Sequence, residues 1–207
     1  KGNFWVGTVG DGLHRMNRDQ GTFTRLTYDP ENPAKLSRPW LEGVTPATAD
    51  PATHVSSIFE DQEGRIWITA IYGGLVVYDP TTETPHRYES GEAQNQLFTY
   101  FLWLTYQTRD GTLWISAARD GQTLYKVNQR TDLFCFFNVP DPSASQQSTS
   151  HGILKDRFGH IWRAWYHPAV LQRIDRGTGQ VDIFPLRGQD SQPDQILSMT
   201  LGREGFI

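Results

Sequence analysis

The chain has 207 residues, with 19 basic and 23 acidic side chains, a formal charge of −4, and 37% hydrophobic and 13% aromatic residues. This is the balance of an ordinary globular protein and argues against disorder. It offers no basic surplus for neutralising phosphates, so nucleic acid is not an expected partner. The longest apolar stretch, Leu97 to Tyr106, is too short to cross a bilayer, so no membrane insertion by this segment is expected. The single cysteine, Cys135, excludes an internal disulfide framework and leaves the compartment open; among Phe134, Phe136 and Phe137 it reads as an inert buried thiol.

In chain order, the first repeat (1–28) opens on Gly2-Asn3-Phe4-Trp5-Val6, continues through Gly12-Leu13 and a polar turn at Asn17 to Gly21, and closes on Phe23-Thr24-Arg25-Leu26. An insertion follows over residues 29–51, with five prolines, and reads as an exposed loop. Such a loop suits a functional role or plain tolerance of insertion. The second repeat (52–90) contains Val55 to Phe59, Gly64-Arg65-Ile66-Trp67-Ile68, Gly74-Leu75 and His86-Arg87-Tyr88. The third (97–140) contains Leu102 to Tyr106, Gly111-Thr112-Leu113-Trp114-Ile115, Gly121 and Leu133 to Asn138. The fourth (148–187) contains Ile153-Leu154, Gly159-His160-Ile161-Trp162, Ala169-Val170 and Val181 to Leu186. Ile196 to Met199 and Gly205-Phe206-Ile207 begin a fifth (194–207).

The recurring glycines are 62, 47, 48 and 46 residues apart, the period of a repeat architecture. Each full copy holds four short runs rich in aromatic and β-branched residues, bounded by Gly, Asp, Asn or Pro. We name them a, b, c and d in chain order, with the tryptophan on b. The connections suit antiparallel hairpins and leave no room for crossover helices, and no window has sustained helical periodicity. The expected fold is therefore all-β: a β-propeller of about four four-stranded antiparallel blades, belonging to a larger, seven-bladed ring. The chain begins on a strand b and ends within a further blade, so it reads as part of a longer protein. The tryptophans are expected to pack between blades, because one small sheet cannot bury both of its faces.

Phe4-Trp5-Val6-Gly7-Thr8 with Gly12-Leu13, and Ile58, Glu60-Asp61 ahead of Gly64-Arg65-Ile66-Trp67, resemble two-component regulator propeller repeats; Asp29-Pro30-Glu31-Asn32-Pro33 with Leu36-Ser37 resembles the loop that often follows such a blade. The resemblance spans essentially the whole chain. It implies the extracytoplasmic, periplasmic sensor of a membrane-bound histidine kinase, hybrid kinase or diguanylate cyclase, in a family where many members sense carbohydrates. It also implies further blades and signalling domains in the same polypeptide, and a homodimer. The chain departs from the pattern at Thr108 and Gly202, where an aspartate is expected, and at Arg163-Ala164-Trp165-Tyr166-His167-Pro168, where small residues are usual.

In a propeller the b–c and d–a loops emerge on one face around the channel mouth, a concave setting suited to ligands. The b–c loops supply Asp11, Tyr72, Arg119, Asp120, Trp165, Tyr166 and His167 as candidate ligand contacts. Aromatic faces can stack on sugar rings, and Arg and Asp can hydrogen-bond hydroxyls or acidic substituents. The competing reading is that these residues pack the blade edge or meet a neighbouring domain.

Other patterns carry less. Gly7-Thr8-Val9-Gly10-Asp11-Gly12 is read as a hairpin turn, since no helix follows to hold a phosphate. Glu60 and Asp61 are adjacent on a strand and point to opposite faces, which rules out an acid–base pair; Asp61 is expected to accept hydrogen bonds from its turn. His151, His160 and His167 lack convergent metal spacing, so neither a metal nor a cofactor is expected. Thr108-Arg109-Asp110-Gly111-Thr112-Leu113-Trp114 is similar to a sialidase aspartate box but with Asp and Gly adjacent, and no nucleophile or arginine triad accompanies it. The leading expectation is a non-catalytic sensing segment that binds a small molecule or oligosaccharide. The alternatives are a propeller lyase or glycosidase, and a protein–protein interaction propeller.

Overall fold

The computed structural model describes residues 3–8, 12–26, 54–71, 74–88, 102–117, 123–128, 133–138, 150–166, 169–186, 195–200 and 202, with positions 123, 128, 133–138 and 150 described for their backbone alone. The insertion at 29–51 and the Cys135 side chain lie outside that set. Strands β1 (Phe4–Gly7), β2 (Leu13–Asn17) and β3 (Thr22–Leu26) form a three-stranded sheet in sequential order. Three four-stranded sheets follow, each also in sequential order. They are β4 (Val55–Glu60), β5 (Ile66–Ala70), β6 (Gly74–Asp79) and β7 (Thr84–Tyr88); β8 (Leu102–Gln107), β9 (Leu113–Ala117), β10 (Thr123–Asn128) and β11 (Leu133–Asn138); and β12 (Ser150–Lys155), β13 (Ile161–Trp165), β14 (Val170–Ile174) and β15 (Val181–Pro185). Every pairing that the register defines is antiparallel. The chain divides into two compact units, Lys1–Thr105 and Tyr106–Ile207.

The strands differ in depth, and their sequences say why. Every residue of β5 and of β9 is buried, so these b strands are covered on both faces, with Thr69 and Ser116 their polar members. Strands d lie at the sheet edge: β3 is exposed except at Leu26, β7 alternates, and β15 is exposed from Ile183 to Pro185. Burial therefore falls from b and c outward to d. The core of the first unit is a cluster of Leu13, Ile66, Ile68, Val76 and Tyr78, onto which Trp5, Leu26, Val55 and Ile58 pack. It joins residues of the first two blades into one apolar layer, which neither sheet could bury alone.

The recurring glycine has a backbone cause. Gly64, Gly111 and Gly159 close the a–b turns with φ of +80°, +82° and +93°, a region that costs residues with a Cβ. Each turn is closed alike: the amides of Gly64, Gly111 and Gly159 donate to the carbonyls of Asp61, Thr108 and Asp156.

The fifth copy differs from the sequence expectation. Residues 195–200 form no strand, although Ile196 is buried. No described segment pairs with them, and a ladder needs a partner strand. Ile196 and Met199 instead pack on Ala164, Ala169 and Leu171 of the fourth blade.

Candidate functional site

Alternation along strand b decides which side chains meet which blade. In the first unit, the Trp5 indole meets the Tyr78 ring edge-on, with centroids 5.7 Å apart. Gly7, two residues further on and facing the same side, lies so close to Val55 that a Cβ there would come within 2.5 Å of its Cγ1. Ile66 and Ile68 of β5 face back into the shared cluster. In the second unit the Arg176 guanidinium lies 5.5 Å from the Trp114 ring centroid, and on strand a of the fourth blade Gly152 abuts Met199. Trp5 and Trp114 thus meet residues of another blade, whereas Trp67 stacks on Tyr88 and Trp162 on Phe184, each within its own blade. Trp67 and Trp114 are buried, and Trp162 is half-buried.

At the a–b end the carboxylates serve structure. Asp61 Oδ1 accepts from the amides of Glu63 and Arg65, both at 2.9 Å, while Oδ2 accepts from Arg65 Nε (2.9 Å) and the Trp67 indole N–H (2.7 Å). Asp156 does the same with Phe158, His160 and the Trp162 indole N–H (2.8 Å). In the third blade Thr108 takes the aspartate's place and its hydroxyl hydrogen-bonds Asp110. That carboxylate reaches the next blade, pairing with Lys155 at 2.5 Å and facing Arg176 at 3.6 Å. The Lys155 ammonium, then the Thr108 hydroxyl, hold the Asp110 carboxyl well below the usual range.

The opposite end, where strands a begin and strands b finish, carries the candidate site. Strand a is bulged there in both blades where its register is defined, at Ser56 in β4 and His151 in β12. Bulges re-aim side chains. Ser56 donates to the Leu102 carbonyl at 2.8 Å. His151 instead lays its imidazole against the Tyr166 ring, with centroids 4.7 Å apart and planes 21° from parallel. Burial lowers the His151 pKa from its ordinary value, which favours the neutral ring at neutral pH. In the first unit the His54 ring faces Trp103 at 6.4 Å, and burial lowers its pKa as well. Both units therefore place an imidazole beside an aromatic ring at this end of a blade.

Beneath Tyr166 lies a buried polar group. Arg163, Trp165 and Gln172 are each 0% exposed. The Arg163 guanidinium stands 4.1 Å from the Trp165 ring centroid, and its Nη2 donates to the Ala117 carbonyl at 2.7 Å. The Trp165 indole N–H donates to Gln172 Oε1 at 2.6 Å.

Of the candidate contacts read from the sequence, Tyr166 stands on the turn after β13, half-buried and stacked on His151. Trp165 was expected on the b–c loop. It is the last residue of β13, and as its side chain is turned inward it supports the turn from below. Asp11, Tyr72, Arg119, Asp120 and His167 lie outside the described residues. His151, Arg163 and Gln172 were not among the candidates. Arg163 had a signal, as the one charged residue after a repeat tryptophan; for Gln172 and the bulge at His151 no local signal exists. A broad concavity of about 810 Å³ on the first blade, lined by Asn3, Arg15, Asn17, Arg18 and Thr24 among others, lies at the other end. Among the described residues no group of three or more His, Cys, Asp or Glu could hold a metal ion, and no helix is long and apolar enough to cross a membrane.

Residues 50–72 match the family described as two component regulator propeller, the family that the repeats resemble. The extracellular domain of the hybrid two component system BT3049 of B. thetaiotaomicron superposes with a TM-score of 0.63 at 20% identity, over 87% of this chain and 21% of that one. That of BT4673 from the same organism gives 0.66 at 17% identity, over 97% and 25%. Virginiamycin B lyase from Staphylococcus aureus gives 0.61 at 18% identity, over 93% and 55%. The chain thus spans about a fifth to a quarter of the two sensor domains. No curated protein matches it. At these identities the likeness concerns the fold: the chain is all-β and built of four-stranded antiparallel β-propeller blades.

Proposed function

We propose that the chain is a non-catalytic ligand-sensing propeller segment of a two-component-type receptor. It binds a carbohydrate or another small molecule outside the cytoplasm and biases a membrane-linked output domain of the same polypeptide. The observation that carries the site is the Tyr166–His151 stack on the end of the fourth blade, from which the b–c turns depart. It presents aromatic surface with a largely neutral imidazole, which suits the faces and hydroxyls of a sugar. The family match over residues 50–72 and the likeness to two sensor domains support the signalling context and the extracytoplasmic setting; a larger ring and a dimeric receptor belong to the same reading. Binding can shift the receptor only by the difference in affinity between its two states.

The test is a thermal-shift panel of neutral and acidic oligosaccharides on the intact protein, repeated with Tyr166→Ala. A ligand that binds only the native state raises the melting midpoint, and the variant is expected to lose most of that rise. A panel without any shift, together with a tight protein partner, would turn the reading to an interaction propeller. The likeness to virginiamycin B lyase supports a second reading, an enzyme with His151 as its base. Turnover of a bound compound that His151→Ala abolishes would establish that reading in place of the first.

A further inference from the structure

We infer that Arg163 is a positioning residue that clamps the end of β13 to the end of β9, so that the two strand ends keep one mutual geometry. Its consequence for binding rests on the sensing reading above; the clamp itself does not.

The position after the repeat tryptophan holds Val6, Ile68 and Ile115 in the first three blades, and Ile68 and Ile115 are buried. An aliphatic side chain is therefore enough to fill this joint. Arg163 fills it at 0% exposure, and taking a guanidinium out of water is costly unless its donors and ring face find partners. Stability alone favours isoleucine here, so the arginine has to supply something that packing does not.

What it supplies is direction. Apolar contact specifies a volume, whereas a planar guanidinium fixes distance and angle at each donor. Nη2 donates to the carbonyl of Ala117, the last residue of β9, from a residue 46 positions later in the chain. The guanidinium plane lies near the ring of Trp165, the last residue of β13. Trp165 is held in turn by Gln172, whose Cα is paired with that of Arg163 across β13 and β14. The clamp thus joins the ends of β9 and β13. Tyr166 follows Trp165 directly, and its stack on His151 inherits the position that the clamp imposes.

Hydrogen exchange on the intact protein tests this without any ligand, comparing the parent with Arg163→Ile and Arg163→Lys. Arg163→Ile is expected to melt no lower than the parent, since isoleucine serves the second and third blades. Amide exchange is expected to accelerate about fivefold or more both in the stretch beginning at Ala117 and in the turn after Trp165, while β12 and β14 stay protected. Arg163→Lys keeps the charge but loses the planar fork, and is expected to behave like Arg163→Ile. Unchanged exchange at both strand ends, or acceleration spread evenly over the second unit, would reduce Arg163 to a packing residue. If Arg163→Ile does not fold, Trp165→Phe keeps a ring beside the guanidinium and removes the donation to Gln172. Faster exchange at both ends then supports the clamp, and none overturns it. A glycan panel without shifts would sink the sensing reading and leave these results standing.

Discussion

Asp61 concentrates more hydrogen bonds than any other carboxylate described in the first unit, and its side chain is fully buried. Two backbone amides, one guanidinium and one indole converge on it, and each loses its acceptor in Asp61→Ala. Leaving buried donors unsatisfied costs about 1–3 kcal/mol apiece before relaxation, so a net loss of about 3 kcal/mol is expected from urea unfolding. The expected acceptance from its own turn was legible in the sequence; the indole as a partner was not. Histidines set a second expectation. Burial lowers the pKa of both His54 and His151 from 6.5, so the unfolded chain takes up protons first as the pH falls. The stability they contribute is present above about pH 6.5 and is lost as the pH falls through their folded values. The melting midpoint should therefore decline from pH 7 to pH 5.5, and His151→Gln should flatten part of that decline. A midpoint constant across this range would contradict the assignment.

At the scale of the strand, b is the element on which everything else is registered. Two residues after each repeat tryptophan stands a small residue, Gly7, Thr69, Ser116 or Ala164. The structure gives the reason where the next strand a passes close by. A Cβ on Gly7 would meet Val55 Cγ1 at 2.5 Å and Val55 Cβ at 2.8 Å, both on a stiff branched side chain. On Gly152 it would meet the Met199 methyl at 2.9 Å, the end of a flexible side chain. Gly7→Ala is thus expected to cost about 1–3 kcal/mol by overpacking, and Gly152→Ala clearly less. Chemical denaturation of the pair checks the ranking, and equal losses would show that the contact at Gly7 relaxes freely. Strand positions were legible because hydrophobic runs and turn residues are local signals. Strand a of the fourth blade is the instructive shortfall: Ile153-Leu154 marked it, yet β12 extends from Ser150 to Lys155. Its bulge and polar ends are held by pairing with β13, which no local pattern announces.

At the scale of the molecule, stacked blades should couple to their neighbours and little further, as in other repeat proteins. Asp61→Ala is therefore expected to raise amide exchange across β1–β7 while β12–β15 keep their protection. A uniform rise would show that the blades unfold as one unit. The period, the hairpin order and the strand that carries the tryptophan can all be read from residues close together in the chain, because turns and alternation are short-range physics. The burial of Arg163 against Ala117 and the reach of Asp110 to Lys155 link residues 46 and 45 apart, one repeat in each case. Nothing near either residue announces its partner, because packing one sheet on the next brings them together. The same arginine in an isolated blade would sit in water as an ordinary solvated cation.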